Sequence, residues 1–310
     1  MLASIVKVNG YSPFKTLMLR EYWENRRAIF TTPLVITGLA MALVIVGMGI
    51  FGQSIHIDDE AFTLREFIST MSERDAQEMR DHLNHALLAA NMPVFIGVWF
   101  CMVFTALGSL YDERKDNSIL FWKSMPVSDL QTVASKLLTV MLVIPLVAIG
   151  FTFIFQVFLL IVGSFATIGT EFSAWELLWE SSNLPALLLT EISAVIIYGL
   201  WSLPIFAWFM LASVVAKRTP LLVATIPVAL AALMEELFFN TNHLLMFVAN
   251  RLSINTEHNI HMDGQSMEQI SFQTPLDMFQ SISDPELWLG LALSAALLYL
   301  TIVLRKRKSL

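Results

Sequence analysis

Six long apolar runs, separated by short polar stretches, organise this chain. They are Ile29–Gly52, Leu88–Leu110, Leu137–Gly163, Leu184–Ala216, Pro220–Phe239 and Glu286–Leu304. A helix needs roughly 20 apolar residues to cross the hydrocarbon of a bilayer, and the runs meet that length. Their continuity excludes membrane β-barrel strands, which are shorter and alternate in polarity. The fourth run is the longest and carries Pro204, which predicts a kink or tilt. The first follows 28 residues of mixed polarity and is too long for the apolar region of a signal peptide. The pattern predicts an all-α integral membrane protein with six transmembrane helices.

The polar stretches divide the rest. Residues 1–28 form an N-terminal segment, 29–304 the membrane domain and 305–310 a basic tail. Within the domain, 53–87, 164–183 and 240–285 are loops on one side, and 111–136 is a loop on the other. Before the first run, Ser12 can N-cap a helix and Pro13 occupies its favoured first position. Phe14, Leu17, Met18 and Tyr22 recur at helical spacing, while Lys15, Arg20, Arg26 and Arg27 lie mostly elsewhere on the wheel. That predicts an amphipathic helix in the headgroup region, drawn to anionic lipid or to a partner. Leu64, Phe67, Ile68 and Met71, then Met79, Leu83 and Leu87, predict helix in the first loop, running into the second span. The last loop, with Gly264 and Pro275, reads as turn-rich.

Composition agrees with a membrane location. Hydrophobic residues make up 56% of the chain and charged ones 15%, with mean hydropathy +0.65, whereas a soluble domain carries about 25% charged residues. Fifteen Lys and Arg fall on the side of the two termini and only Arg65, Arg74, Arg80 and Arg251 on the other. Positive charge marks the cytoplasmic side, so both termini are expected in the cytoplasm. The opposite side carries 17 carboxylates and is expected to form a negative outer vestibule. Net charge -7 argues against a nucleic-acid partner. Cys101 is the only cysteine, which excludes an intrachain disulfide and a cysteine metal cage.

The block "SLYDERKDNSILFWKSMPVSDLQ", residues 109–131, places dense charge between two of the most apolar runs. Asp112, Glu113, Arg114, Lys115 and Asp116 are too charged for lipid and end the second span. Ile119, Leu120, Phe121 and Trp122 follow in a short helix that Pro126 breaks, with Lys123 inside it. Ser128 and Gln131 have capping-box spacing and start the helix that becomes the third span. A short apolar and aromatic helix in a cytosolic loop must bury that face, and tryptophan with arginine is characteristic of binding hot spots. A protein partner is the expected cover.

The same residues resemble a known family. "LYDERKDNSILFWKSMPVSDLQTVASKLLT" is similar to the loop after the second span in permease subunits of the type-two ABC exporters. "LREYWENRRAIFTTPL" resembles that family's amphipathic lead into its first span, and "LASVVAKRTPLL" its short turn between spans four and five. Together they cover just under a fifth of the chain. The resemblance implies a coupling helix in 112–131, with Asp112 to Asp116, Phe121, Trp122, Lys123 and Pro126 as partner-binding positions. It implies an interface helix at 12–27 carrying Phe14, Met18, Arg20, Glu21, Tyr22 and Arg26. It also implies a second permease copy in a homodimer, a separate ATP-binding cassette subunit holding ATP and Mg, and residence in the inner membrane. This chain is expected to bind no cofactor or metal and to catalyse nothing itself. No Gly is followed by Lys, so the chain lacks the turn that would cradle ATP phosphates.

Three features carry other chemistry. Glu191 lies inside the fourth run, and an intramembrane carboxylate is a functional candidate by default, here for a transport pathway or dimer interface. Glu235, Glu236 and His243 resemble the glutamate-type intramembrane proteases, but Asn240 stands where that family needs an arginine. His82/His85 and His258/His261 have i,i+3 spacing that could face a metal. The expected function is an exporter subunit for an apolar or amphipathic substrate. The alternatives are an intramembrane protease and a sensory ABC module that transports nothing.

Overall fold

The computed structural model describes residues 13–51, 55–57, 60–62, 68–124, 127–252, 278–279 and 281–307. Helix α1 is Pro13–Glu24, and a π-helical stretch Arg27–Thr31 leads into α2, Thr32–Phe51. Helices α3, Glu73–Ala90, and α4, Met92–Gly108, precede two short ones, α5, Tyr111–Lys115, and α6, Ser118–Ser124. Helix α7, Asp129–Leu138, passes through a π-helical stretch Thr139–Val143 into α8, Ile144–Ala166. After a third π-helical stretch, Trp175–Trp179, come α9, Leu184–Val215, α10, Pro220–Phe239, α11, His243–Leu252, and α12, Pro285–Arg307.

Six of these helical stretches are long and apolar enough to cross a membrane: Arg27–Met48, Glu73–Lys115, Asp129–Ala166, Trp175–Val215, Pro220–Phe239 and Pro285–Arg307. They coincide with the six apolar runs, and the protein is an all-α membrane protein. The fourth run is a single unbroken helix through Pro204. Local signals set several boundaries. Pro13 opens α1, and Ser128 and Gln131 make the expected reciprocal capping box on α7. Ser72 and Asp75 make another on α3. Asn240 ends α10 in the left-handed conformation, at φ 51°, which a short polar side chain tolerates. Ser12, Gly264, Pro275, His258 and His261 lie outside the described residues.

One expectation is corrected. The first loop is not helical throughout: Ile55–Ile57 and Glu60–Phe62 pair as a short antiparallel hairpin in the register Ile55↔Phe62 and Ile57↔Glu60. Alternation of β-branched residues about His56 favours strand there. Residues 68–70 are helical, the Ser72 cap starts α3, and Leu64 and Phe67 lie outside the described residues.

The chain forms two compact units: one of Met1–Arg26, Phe100–Ile144 and Ser193–Leu310, the other of Arg27–Trp99 and Pro145–Ile192. The second unit buries Ile68, Ala76, Leu87, Leu160, Leu177 and Leu187 together. Asn84 ties α3 to the start of α9, donating to Ser181 O at 3.2 Å and accepting from Asn183 N at 3.0 Å. In the first unit Leu110, Val133, Met210 and Val214 form a buried cluster, with Leu298 and Ile302 of α12 against it.

The first unit also encloses Arg251, only 2% exposed. Its guanidinium donates to Trp201 O at 3.2 Å and Glu286 O at 2.5 Å, and stacks 4.4 Å from the Trp201 ring centroid. Gly290 makes room for it: a Cβ there would sit 2.6 Å from Nη1 and 2.8 Å from the guanidinium carbon. Because the guanidinium is clamped, Gly290→Ala should cost about 1–3 kcal/mol, the usual range for overpacking. A lowered thermal unfolding midpoint in lipid nanodiscs would register it, and an unchanged midpoint would show that the arginine yields freely.

Candidate functional site

In the first unit, α1, the α5–α7 loop and the end of α12 meet through buried charge. Helical spacing supplies the groups. Asp129, Val133 and Lys136 share one face of α7, whose start the Ser128 box fixes. Leu298, Ile302 and Arg305 share one face of α12, and Leu17 and Glu21 one face of α1. Each face sets charge beside an apolar neighbour.

Glu113 of α5 is the hub. Its Oε1 lies 2.6 Å from Arg20 Nη2 and 3.1 Å from Lys136 Nζ, and its Oε2 lies 2.9 Å from Arg305 Nη2. Lys136 also reaches Glu21 Oε1 at 3.0 Å, and Arg305 reaches Asp129 Oδ1 at 3.0 Å. Arg20 bonds Glu24 at 2.7 Å and lies over the Trp122 ring, 3.6 Å from its centroid. Glu21, Lys136, Arg305 and Glu113 are 1%, 3%, 4% and 5% exposed.

Burying each such ion costs several kcal/mol, offset only where partners and geometry are good. The network meets that condition by sharing: three cations converge on Glu113, and each has a second carboxylate, Glu24 for Arg20, Glu21 for Lys136 and Asp129 for Arg305. Burial pushes the Glu21 carboxyl above its ordinary range, with Lys136 pulling the other way. For Arg20, burial would lower the guanidinium, but its bonds to Glu24 and Glu113 prevail and raise it.

A second set of bonds fastens the loop to the end of α9. Arg114 Nη2 donates to Ser213 O at 2.5 Å and Ala216 O at 2.9 Å, carbonyls at a helix end where a cation is also favoured by the helix dipole. The Ser213 hydroxyl accepts from Leu110 N at 3.0 Å and Tyr111 N at 2.9 Å. The Tyr111 hydroxyl donates to Arg218 O at 2.6 Å.

What stays outside is apolar and aromatic. Leu19 and Trp23 of α1 are 51% and 65% exposed, and Leu120 and Phe121 of α6 are 65% and 57%. The Arg20–Trp122 contact holds these two helices together. Asp112, Lys115, Asp116 and Arg26 are exposed around them.

The residues expected to face a partner thus divide. Asp112, Lys115, Asp116, Phe121 and Arg26 are exposed, and Phe14, Met18, Tyr22 and Trp122 are partly buried. Glu113, Arg114, Arg20 and Glu21 bond within the chain. The side chain of Lys123 and all of Pro126 lie outside the description. Sequence reasoning missed Asp129, Lys136 and Arg305 as site members. The i,i+7 spacing of Asp129 and Lys136 on a capped helix was the available signal.

Glu191 is in the second unit, 3% exposed. Its Oε1 accepts from Asn91 Nδ2 and Gln156 Nε2, each at 2.8 Å, and its Oε2 lies 2.7 Å from Thr152 Oγ1. The pathway expectation meets a carboxyl packed inside this unit among neutral amides and a hydroxyl. Glu235 has a local task. Its carboxylate accepts from Thr241 Oγ1 at 2.9 Å and from the backbone N–H of His243 and Leu244 at 2.8 and 2.9 Å, satisfying the first turn of α11. His82 and His85 are neighbours on α3, their ring centroids 6.3 Å apart.

Comparison with protein-family models, with curated proteins and with solved structures gave no match. Fold and site together define a multi-pass, all-α membrane protein that fastens its lead-in helix, one inter-span loop and its last span into a single charged assembly.

Proposed function

We propose that this chain is the permease subunit of an ATP-driven exporter of the type-two ABC family, moving an apolar or amphipathic substrate out of the cytoplasm. The basic end lies in the cytoplasm, with α1 as interface helix and α6 as coupling helix. Both seat on a separate ATP-binding cassette subunit, which carries ATP and Mg, and a second permease copy completes the transporter. One observation carries the reading. The loop that resembles this family bonds to both of the other resembling stretches, through Arg20 and through Ser213, and an aromatic surface is left outward.

The mechanism follows from the bonds. Closure of the ATPase pair displaces α6, and α5 moves with it. Glu113 passes the displacement to α1, to Lys136 at the head of the third span and to Arg305 at the foot of the sixth. Arg114 and Ser213 pass it to the end of the fourth. Spans that share one ionic joint tilt together between inward-open and outward-open states.

The test is isolation of the tagged protein from native membranes. An ATP-binding cassette subunit should co-purify, and the pair in vesicles should hydrolyse ATP faster with an amphipathic peptide or lipid. A preparation in which no nucleotide-hydrolysing subunit accompanies the chain overturns the reading.

A further inference from the structure

Hydrogen counting around Glu191 shows more than burial. The Thr152 hydroxyl has one hydrogen, yet its oxygen lies 2.9 Å from Ile149 O and 2.7 Å from Glu191 Oε2. If that hydrogen serves Ile149 O, a hydrogen on the carboxyl must serve the other contact. Glu191 Oε1 behaves as a carbonyl, accepting two amide N–H bonds. Asn91 Oδ1 and Gln156 Oε1, both fully buried, have no donor at all. The quartet is short of hydrogens, not of acceptors.

Charge leads to the same place. Among the described residues no Lys, Arg or His lies within ion-pair distance of Glu191. Helix α8 carries no titratable residue, residues 184–192 of α9 carry none besides Glu191, and residues 92–99 of α4 carry none. On α3, His85 is the titratable group nearest in sequence to Asn91. Glu191 is the eighth residue of α9, about 10 Å along it at 1.5 Å per residue. An ionised carboxylate there would face low dielectric with neutral dipoles alone, and such a group neutralises instead.

We infer that Glu191 is an intramembrane proton-binding site: in this conformation it is a neutral carboxylic acid whose Oε2–H donates to Thr152 Oγ1, which in turn donates to Ile149 O. Every hydrogen of that relay is used once, and the proton stays while the quartet is closed. Any state that admits water to Glu191 lets it ionise. Falling pH therefore favours the closed quartet, and rising pH favours the opened one. The inference does not depend on the exporter reading, because its readout needs neither ATP nor substrate.

Infrared spectroscopy of the protein in lipid nanodiscs at neutral pH tests it. Exposed carboxyls are then ionised, so a protonated-carboxyl C=O band is expected in the native protein, shifted in D2O and lost in Glu191→Gln. Thr152→Val should keep the band and raise its frequency, because the acid loses its acceptor. If Glu191→Gln leaves the band region unchanged, Glu191 is ionised and the inference falls. Should that variant fail to fold, Thr152→Val alone decides: a native band that it leaves unmoved belongs to another carboxyl and overturns the inference equally.

Discussion

Glu113→Ala should destabilise the protein by about 3–5 kcal/mol, the cost of removing one partner from a buried ion pair. The change withdraws the carboxylate on which Arg20, Lys136 and Arg305 converge. Each cation would then keep one carboxylate: Glu21 for Lys136, Glu24 for Arg20 and Asp129 for Arg305. Repulsion among desolvated cations adds to the loss of attraction, so the effect should exceed that of deleting a methylene or two from the core. Glu113→Gln keeps the volume and an acceptor, and should fall between Ala and native. Replacing Arg74, whose pair with Glu78 is exposed on both sides, should leave the unfolding temperature unmoved, as expected of surface pairs. Thermal unfolding in nanodiscs ranks the three. A Glu113→Ala shift no larger than that of the Arg74 change would mean that the network contributes position without stability.

Phe121→Asp should have the largest effect on association. The side chain is 57% exposed and packs edge-on against Trp122 at 5.0 Å between centroids. A charge there should cost little folding stability, since exposed substitutions usually fall within about 0.5 kcal/mol. Loss of an aromatic hot spot costs about 2 kcal/mol or more, so affinity for the proposed ATP-binding subunit should fall roughly 30-fold or further. Trp122→Asp makes the contrast. Trp122 carries the Arg20 guanidinium on its face, so its loss should weaken both folding and docking. Quantitative co-purification beside an unfolding curve separates these outcomes. Undiminished association in Phe121→Asp would mean that the aromatic surface lies against lipid headgroups instead.

What the sequence disclosed follows from the range of each interaction. The six spans were legible because each is a continuous apolar run, and the Ser128 cap because its partner is three residues away. The face of α1 was only half legible. Phe14, Leu17, Met18 and Tyr22 mark an apolar stripe, but Arg20 and Glu21 also turn inward, for partners elsewhere in the chain. Arg20 finds Glu113 93 residues on, and Arg305 finds Asp129 and Glu113 across 176 and 192 residues. No local period encodes such pairings. Arg305 and Lys136 therefore read from sequence as topology charges, and Arg251 as a loop charge, although all three are buried. The hairpin at 55–62 was hidden for the opposite reason: its strands are too short for alternation to outweigh the helical pattern after it.

The contacts of Arg305 bear on how the protein is made. Glu113 and Asp129 leave the ribosome well before the arginine that completes their charge balance. At about 5–20 residues per second, the 192 residues from Glu113 to Arg305 take roughly 10–40 s to synthesise. Until then Arg20 and Lys136 hold an unfinished joint, and the second and third spans have inserted without their last anchor. A nascent chain halted before its sixth span would lack the Arg305 contacts to Glu113 and Asp129, so the charged joint closes only once the helix that carries Arg305 has been made.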